Sequence, residues 1–320
     1  MKYIFSLLLI VILGAINQYT VAQDQVYGLI NMSSGMTNPA YTGWNNKWTA
    51  GIHYQNYDIG NKPNNATSLY GEYNKGVHAG GLNILIDSYG IITTRKIMAN
   101  YAYHYCKEKY GVRLGAGLGF AQKEIDFTGL RFGDQIEPRV GFSKDSLLLS
   151  QSGVRSFGLV NLGAVGYYKN IYLSLAAHNV NNPNQSFYHS TAPGSYLPVR
   201  YHVQLGGYIP VFKNFVIYPN IRYNQQKQFN MLMPEVQLAY KNFVVGGSKT
   251  FSINAENINK FNFNAGFTFK QKFKMGYMFS YYKYALIILK THEISFVYMM
   301  NTKNSACGEN ALNKYMRRFL

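Results

Sequence analysis

From Asn259 to Lys270 the odd positions read Phe261, Phe263, Ala265, Phe267 and Phe269, while the even ones read Asn262, Asn264, Gly266, Thr268 and Lys270. A period of two marks a strand with one apolar and one wet face. The same alternation sets Val112, Leu114, Ala116, Leu118 and Phe120 against Arg113, Gly115, Gly117 and Gly119. It also sets Phe273, Met275, Tyr277, Phe279 and Tyr281 against Lys272, Lys274, Gly276 and Ser280. Similar segments lie near 47–58, 65–75, 78–87, 94–105, 155–168, 170–178, 199–209, 214–224, 229–240, 242–250 and 290–300. Together they predict about fourteen strands, each close to the length that a tilted membrane strand needs.

An even strand count allows both ends of an antiparallel barrel to lie in the periplasm, and this predicts which connections are short. They fall at Asn74-Lys75-Gly76, Cys106 to Tyr110, Tyr168-Lys169-Asn170, Val211 to Asn214, Tyr240-Lys241-Asn242 and Phe269 to Lys272, and every one contains Lys. The alternate connections include the two longest, Ile125 to Val154 and Asn179 to Pro198, as extracellular loops should. The expected fold is therefore an all-β, transmembrane antiparallel β-barrel. A soluble β-sandwich would also alternate. Against it stand the strand number and the tyrosines gathered at strand ends, such as Tyr101-Tyr103-Tyr105 and Tyr281-Tyr282-Tyr284, which suit membrane-interface girdles.

Composition agrees. Only 14% of the 320 residues are charged, where an ordinary soluble domain carries roughly a quarter, yet the mean hydropathy is only −0.17. A chain poor in charge and rich in Tyr and Gly fits a barrel whose alternate residues alone meet lipid. The 47% apolar content excludes disorder. The net charge of +17 is spread over turns and the wet face, which suits lipid head groups, an anionic partner or anion passage. Lys314 to Arg318 is the one compact basic cluster, and with an exported chain this argues against nucleic acid as a partner.

Residues 1–22 read as a secretory signal peptide, with Lys2, an apolar run from Ile4 to Ala15 and a small-residue cleavage site at Thr20-Val21-Ala22. The expected organisation is then residues 23–46 as a periplasmic or plug segment, 47–300 as the barrel and 301–320 as a periplasmic tail. The two cysteines, Cys106 and Cys307, leave both a disulfide and free thiols open.

Catalytic motifs are weak, and the reading is non-enzymatic, with no cofactor and no metal. Gly246-Gly247-Ser248-Lys249-Thr250 lacks the glycine spacing of a phosphate loop. Gly115-Ala116-Gly117-Leu118-Gly119 places its glycines on one strand face, where something approaches closely. The seven histidines show no zinc spacing. Alternation points His53, His104, His178 and His202 into the lumen beside the basic residues Arg113, Arg200, Arg222 and Lys274. The long loop Ile125 to Val154 carries Arg131 and Arg139 and then Leu147-Leu148-Leu149. An apolar triplet in a polar loop is a candidate partner surface or folds into the barrel mouth.

Asn38-Pro39-Ala40-Tyr41-Thr42-Gly43 resembles the N-P-A-Y-x-G signature of the PorP/SprF family, and His292-Glu293-Ile294-Ser295-Phe296-Val297-Tyr298 resembles its closing strand. Leu197-Pro198-Val199-Arg200-Tyr201-His202 is similar to a third family element, interrupted by Val199. The resemblance implies an outer-membrane barrel of the type IX secretion system in gliding or related Gram-negative bacteria. It further implies a role in secretion or surface anchoring of a cargo, such as a large adhesin, through the cargo's C-terminal sorting domain. The periplasmic secretion or motility apparatus and outer-membrane lipid are the other implied partners, and a transport barrel for a small anionic or lipidic solute is the alternative. Physically, Pro39 restricts Asn38 to extended conformations, so the element is expected as a fixed turn that steers the chain into the wall, with entry into the lumen as the second possibility.

Overall fold

In the computed structural model the residues described are 27–29, 34–44, 47–58, 64–107, 109–126, 136–137, 141–142, 153–187, 195–253, 259–284 and 287–301. The predicted signal peptide, the tail from 302 onward, and Arg131, Arg139 and Leu147 to Leu149 lie outside them.

Fourteen antiparallel strands form one sheet. They are β1 (Lys47–Asp58), β2 (Asn64–Lys75), β3 (His78–Tyr89), β4 (Ile92–Cys106), β5 (Tyr110–Ile125), β6 (Val154–Tyr168) and β7 (Ile171–His178). The second half comprises β8 (Arg200–Gly207, continued by Ile209–Phe212), β9 (Phe215–Gln226), β10 (Phe229–Tyr240), β11 (Phe243–Ser252), β12 (Asn259–Phe269), β13 (Phe273–Tyr284) and β14 (Ile287–Asn301). Each strand pairs with its neighbours in sequence, and β1 pairs with β14 from Lys47↔Asn301 to Asp58↔Lys290, which closes the barrel. Closure leaves no open edge, the condition for a sheet in lipid. Between Leu232↔Phe251 and Glu235↔Ser248 the β10–β11 pairing lapses, because Pro234 has no N–H to give.

The predicted alternation is the inside–outside alternation. On β5, Leu114, Leu118 and Phe120 face out and Arg113, Gly117 and Ala121 face in; on β12, Phe263 and Phe269 are exposed while Asn262, Asn264 and Thr268 are buried. Three inward glycines are each covered by the ring of the directly opposite tyrosine: Tyr70 over Gly51, Tyr167 over Gly111 and Tyr172 over Gly206. Such rings shield strand glycines and pin the register.

The two barrel ends differ as predicted. At one end all six connections are tight. Lys169, Lys241 and Lys270 occupy the left-handed region there, with φ of 50°, 52° and 47°. Their ammonium groups lie 5.2, 5.3 and 5.2 Å from the ring centres of Tyr168, Tyr240 and Phe269. Ammonium groups held over aromatic rings at the strand ends suit a membrane boundary. The other end carries the long connections between β5 and β6 and between β7 and β8, the first containing a two-residue hairpin of Ile136–Glu137 with Gly141–Phe142. Cys106, on the tight-turn side, is disulfide-bonded, and Cys307, the chain's second cysteine, is outside the described residues.

Candidate functional site

The Asn38-Pro39-Ala40-Tyr41 element sits inside the barrel. Its local shape follows from its residues. Asn38 is extended (φ −149°, ψ 121°), as the following proline requires, and its Oδ1 accepts from the Ala40 N–H at 2.8 Å. Pro39 opens a single 3₁₀ turn, Pro39–Tyr41, preceded by one helical turn, α1 (Ser34–Thr37). Gly43 then takes φ +63°, a conformation that a side chain would strain. Asn38, Ala40, Tyr41, Thr42 and Trp44 are all buried.

The wall grips this segment with backbone-directed bonds. The Asn38 amide donates to Ser174 Oγ at 2.8 Å and to the Leu175 carbonyl at 2.9 Å. Arg113 donates from Nε to the Ala40 carbonyl (2.8 Å) and from Nη2 to the Thr42 carbonyl (2.6 Å), with its guanidinium 5.1 Å from the Trp44 ring centre. Its Nη1 donates to His104 Nδ1 at 3.3 Å, so His104 is left with a proton on Nε2, which lies 2.9 Å from the Tyr167 hydroxyl. On the opposite flank Glu72 accepts from the Gly43 N–H (2.9 Å) and Asn74 donates to the Gly43 carbonyl (3.0 Å). Tyr41 donates to Gln204 at 3.3 Å, and burial holds its phenol well above the ordinary pKa, as a proton donor.

The glycines of β5 and β6 complete the fit. A Cβ on Gly115 would collide with backbone atoms of Pro39 and Ala40, and one on Gly163 with the Asn38 side chain. The close approach expected at the Gly115-Ala116-Gly117-Leu118-Gly119 face is thus, at Gly115, an approach by the Pro39-Ala40 turn. Gly117 and Gly119 instead make room for the Asn100 and Met98 side chains.

A second grip holds residues 27–29. Glu293 Oε2 accepts from the Gly28 and Leu29 N–H groups, both at 3.1 Å, while its Oε1 accepts from Gln55 Nε2 at 2.9 Å. Arg222 lies 3.4 and 3.3 Å from the Tyr27 and Gly28 carbonyls and pairs with Glu235 at 2.8 Å. These groups lie away from water, so their charges are tolerable only because each is paired or bonded. His178 donates to the Thr37 carbonyl at 2.8 Å and Asn100 to that of Gly35 at 3.2 Å.

Of the residues singled out in sequence, Arg113, Arg222 and Glu293 are brought to the N-terminal segment. Lys274 is buried and lines a small cavity with Leu29, and Arg200 is half-buried and lines another with Tyr27, Gly35 and Met36. His292 and Ile294 flank Glu293 but face outward, His292 with its Nδ1 2.8 Å from the Tyr277 hydroxyl. The phosphate-loop lookalike is part of β11. Sequence reasoning missed Glu72, Glu235, Ser174 and Gln204. Their signal was available in part: an acid on the wet face of a lumen-directed strand needs a basic partner. Among the described residues no group of three or more His, Cys, Asp or Glu is placed to hold a metal ion.

A closed fourteen-stranded wall with an apolar outside and a filled polar inside defines a membrane β-barrel of the outer-membrane type. The chain belongs to the family of the type IX secretion system membrane protein PorP/SprF, whose model matches residues 20–298. No curated protein matches it. Among solved structures it is similar to the CymD monoaromatic hydrocarbon channel, with TM-score 0.52, 13% identity and 89% and 95% of the two chains covered. The Ralstonia pickettii toluene transporter TbuX gives 0.51, 10%, 85% and 94%. The P. putida toluene transporter TodX gives 0.52, 12%, 84% and 93%. At these identities the likeness is one of fold.

Proposed function

We propose that this protein is a non-enzymatic outer-membrane barrel that anchors or helps export a type IX cargo, gripping the cargo's C-terminal domain with its long loops. The tight-turn end, with its lysines, faces the periplasm and the secretion or motility apparatus. Residues 1–22 direct export and are removed. The observation that carries this reading is the filling of the lumen: residues 27–29 and 34–44 receive hydrogen bonds from, or give them to, eight strands, β2, β4 to β9 and β14. A wall committed to holding its own chain suits an anchor better than a conduit. Arg113 and Arg222, basic groups that an anion path would use, hold backbone carbonyls instead.

The test is deletion of the loop between Ile125 and Val154, including Arg131, Arg139 and Leu147 to Leu149. The expected result is a barrel that still folds and reaches the outer membrane, with its type IX cargo lost from the cell surface and from mild-detergent pull-downs. Cargo display at the parental level would refute the loop's role. The transport alternative predicts steady conductance of the intact protein in planar bilayers.

A further inference from the structure

The outer face of the wall carries an apolar groove of about 790 Å³ that crosses β7 to β12. Its floor is one register row of the sheet. Ile171 faces Gly207 across β7 and β8, and Pro219, Val236, Gly247 and Phe263 continue the row. Gly207, Pro219 and Gly247 are short, so the surface sinks between the larger side chains. A register row climbs through a tilted sheet. This one starts at Ile171, the first residue of β7 at the tight-turn end. The groove rises from there to Lys249, three places before Ser252 at the loop end of β11.

Lys249 is the cation at the upper end of the groove. Val245 and Phe251, on the same side of β11, are exposed and Thr250 is buried, so Lys249 belongs to the lipid-facing side. Its ammonium lies 4.6 and 5.2 Å from the ring centres of Phe251 and Phe261, and Phe261 is stacked on Tyr281 at 5.6 Å. These rings fix the cation but bring no negative charge to it. Lys249 makes no hydrogen bond or ion pair among the described residues. The one acid lining the groove, Glu235, is buried on the lumenal side and holds Arg222 at 2.8 Å. Arg95, on the outer face of β4, is by contrast paired with Glu124.

A charge that faces lipid is disfavoured, the more so with depth. An unneutralised lysine at the head of an apolar groove therefore fits an anion that carries its own apolar tail. We infer that the groove seats one acyl chain of a phosphorylated lipid of the outer leaflet. The phosphate meets Lys249, and the chain descends over Gly247 and Gly207 toward Ile171. The volume lies in the roughly 300–1,000 Å³ range of small-molecule sites. A second barrel, with its convex wall, would leave the floor unfilled. An inner-leaflet lipid would set its phosphate at the tight-turn end, away from Lys249. The inference rests on the orientation proposed above, with the loop end outside, and not on the cargo reading, since loop deletion and lipid binding can fail separately.

The test is native mass spectrometry of the full-length protein in detergent. It is titrated with diphosphoryl lipid A, with lipid A stripped of both phosphates, and with phosphatidylglycerol. The expected result is a one-to-one complex with lipid A, weakened at least tenfold by loss of the phosphates or by Lys249→Gln. Gly247→Leu should weaken it as much by filling the floor; an added Cβ there meets only the Asn262 carbonyl, at 3.8 Å. Heat-dependent gel migration reports that each variant is folded. Equal binding with and without the phosphates, or binding untouched by both substitutions, would overturn the inference. Phosphatidylglycerol binding as tightly as lipid A would overturn the assignment to the outer leaflet. A dimer that Gly247→Leu abolishes would give the groove to a second copy of the chain instead.

Discussion

Residues 38–44 and residues 27–29 lie in one lumen but are held by different means. The first stretch is fitted by shape: glycines at 115 and 163 let its backbone touch the wall, the Asn38 amide bridges β6 and β7, and Arg113 ties down two carbonyls. The second is held mainly by charge, its N–H groups on Glu293 and its carbonyls near Arg222. Steric fit has one register, whereas a carboxylate can re-aim by small torsions. The two grips should therefore respond differently to substitution.

The largest effect is expected from Arg113→Met, which strips two carbonyls of their donor and leaves Glu72 without its nearby cation. Removing one partner from a buried charged network costs about 3–5 kcal/mol, read as a lowered urea midpoint for the barrel in micelles. An unchanged midpoint would mean that the grip on 38–44 is not what stabilises the fold.

Next comes Gly115→Val. Its side chain occupies the place of Pro39 and Ala40, and such overpacking costs about 1–3 kcal/mol. The turn should leave the wall, so proteinase K should cut near 38–44 in the variant and not in the parent. Persistent protection would show that the approach is looser than the structure indicates.

A smaller and more local change should follow Glu293→Gln. A weaker, neutral acceptor replaces one that is charged while the bonds remain, at a cost of about 1 kcal/mol. Protease sensitivity should rise around 27–29 while 38–44 stays protected. Simultaneous release of both stretches would merge the two grips into one unit. The smallest effect is expected at Gly71, which faces outward with nothing within 4 Å of an added Cβ. Gly71→Ala should shift stability by no more than about 0.5 kcal/mol, and a large loss there would break the contrast with Gly115.

The wall is legible in the sequence because period-two patterning and turn chemistry are local. Phe261 to Lys270 reads as a strand whatever its neighbours are, and the Lys-bearing turns mark one end of the barrel by spacing alone. The lumen is legible only in part. That Gly115 lies on a lumenal face follows from parity, and that Asn38 is extended follows from Pro39. The expected turn ahead of β1 is there, but inside the barrel, the second of the two places expected for it. Nothing in the stretch distinguishes the two, because the contacts that decide it are with residues such as Ser174, 136 positions away. Glu72 and Glu235 escape for the same reason: their partners are set by barrel closure and not by spacing.

The central claim is that the protein's own N-terminal segment fills the lumen and closes it to passage. The most direct measurement is single-channel conductance in planar bilayers of the intact protein beside a form lacking residues 23–44. The account predicts no steady current through the intact barrel and open-pore current through the shortened one. Equal, stable currents through both would contradict it.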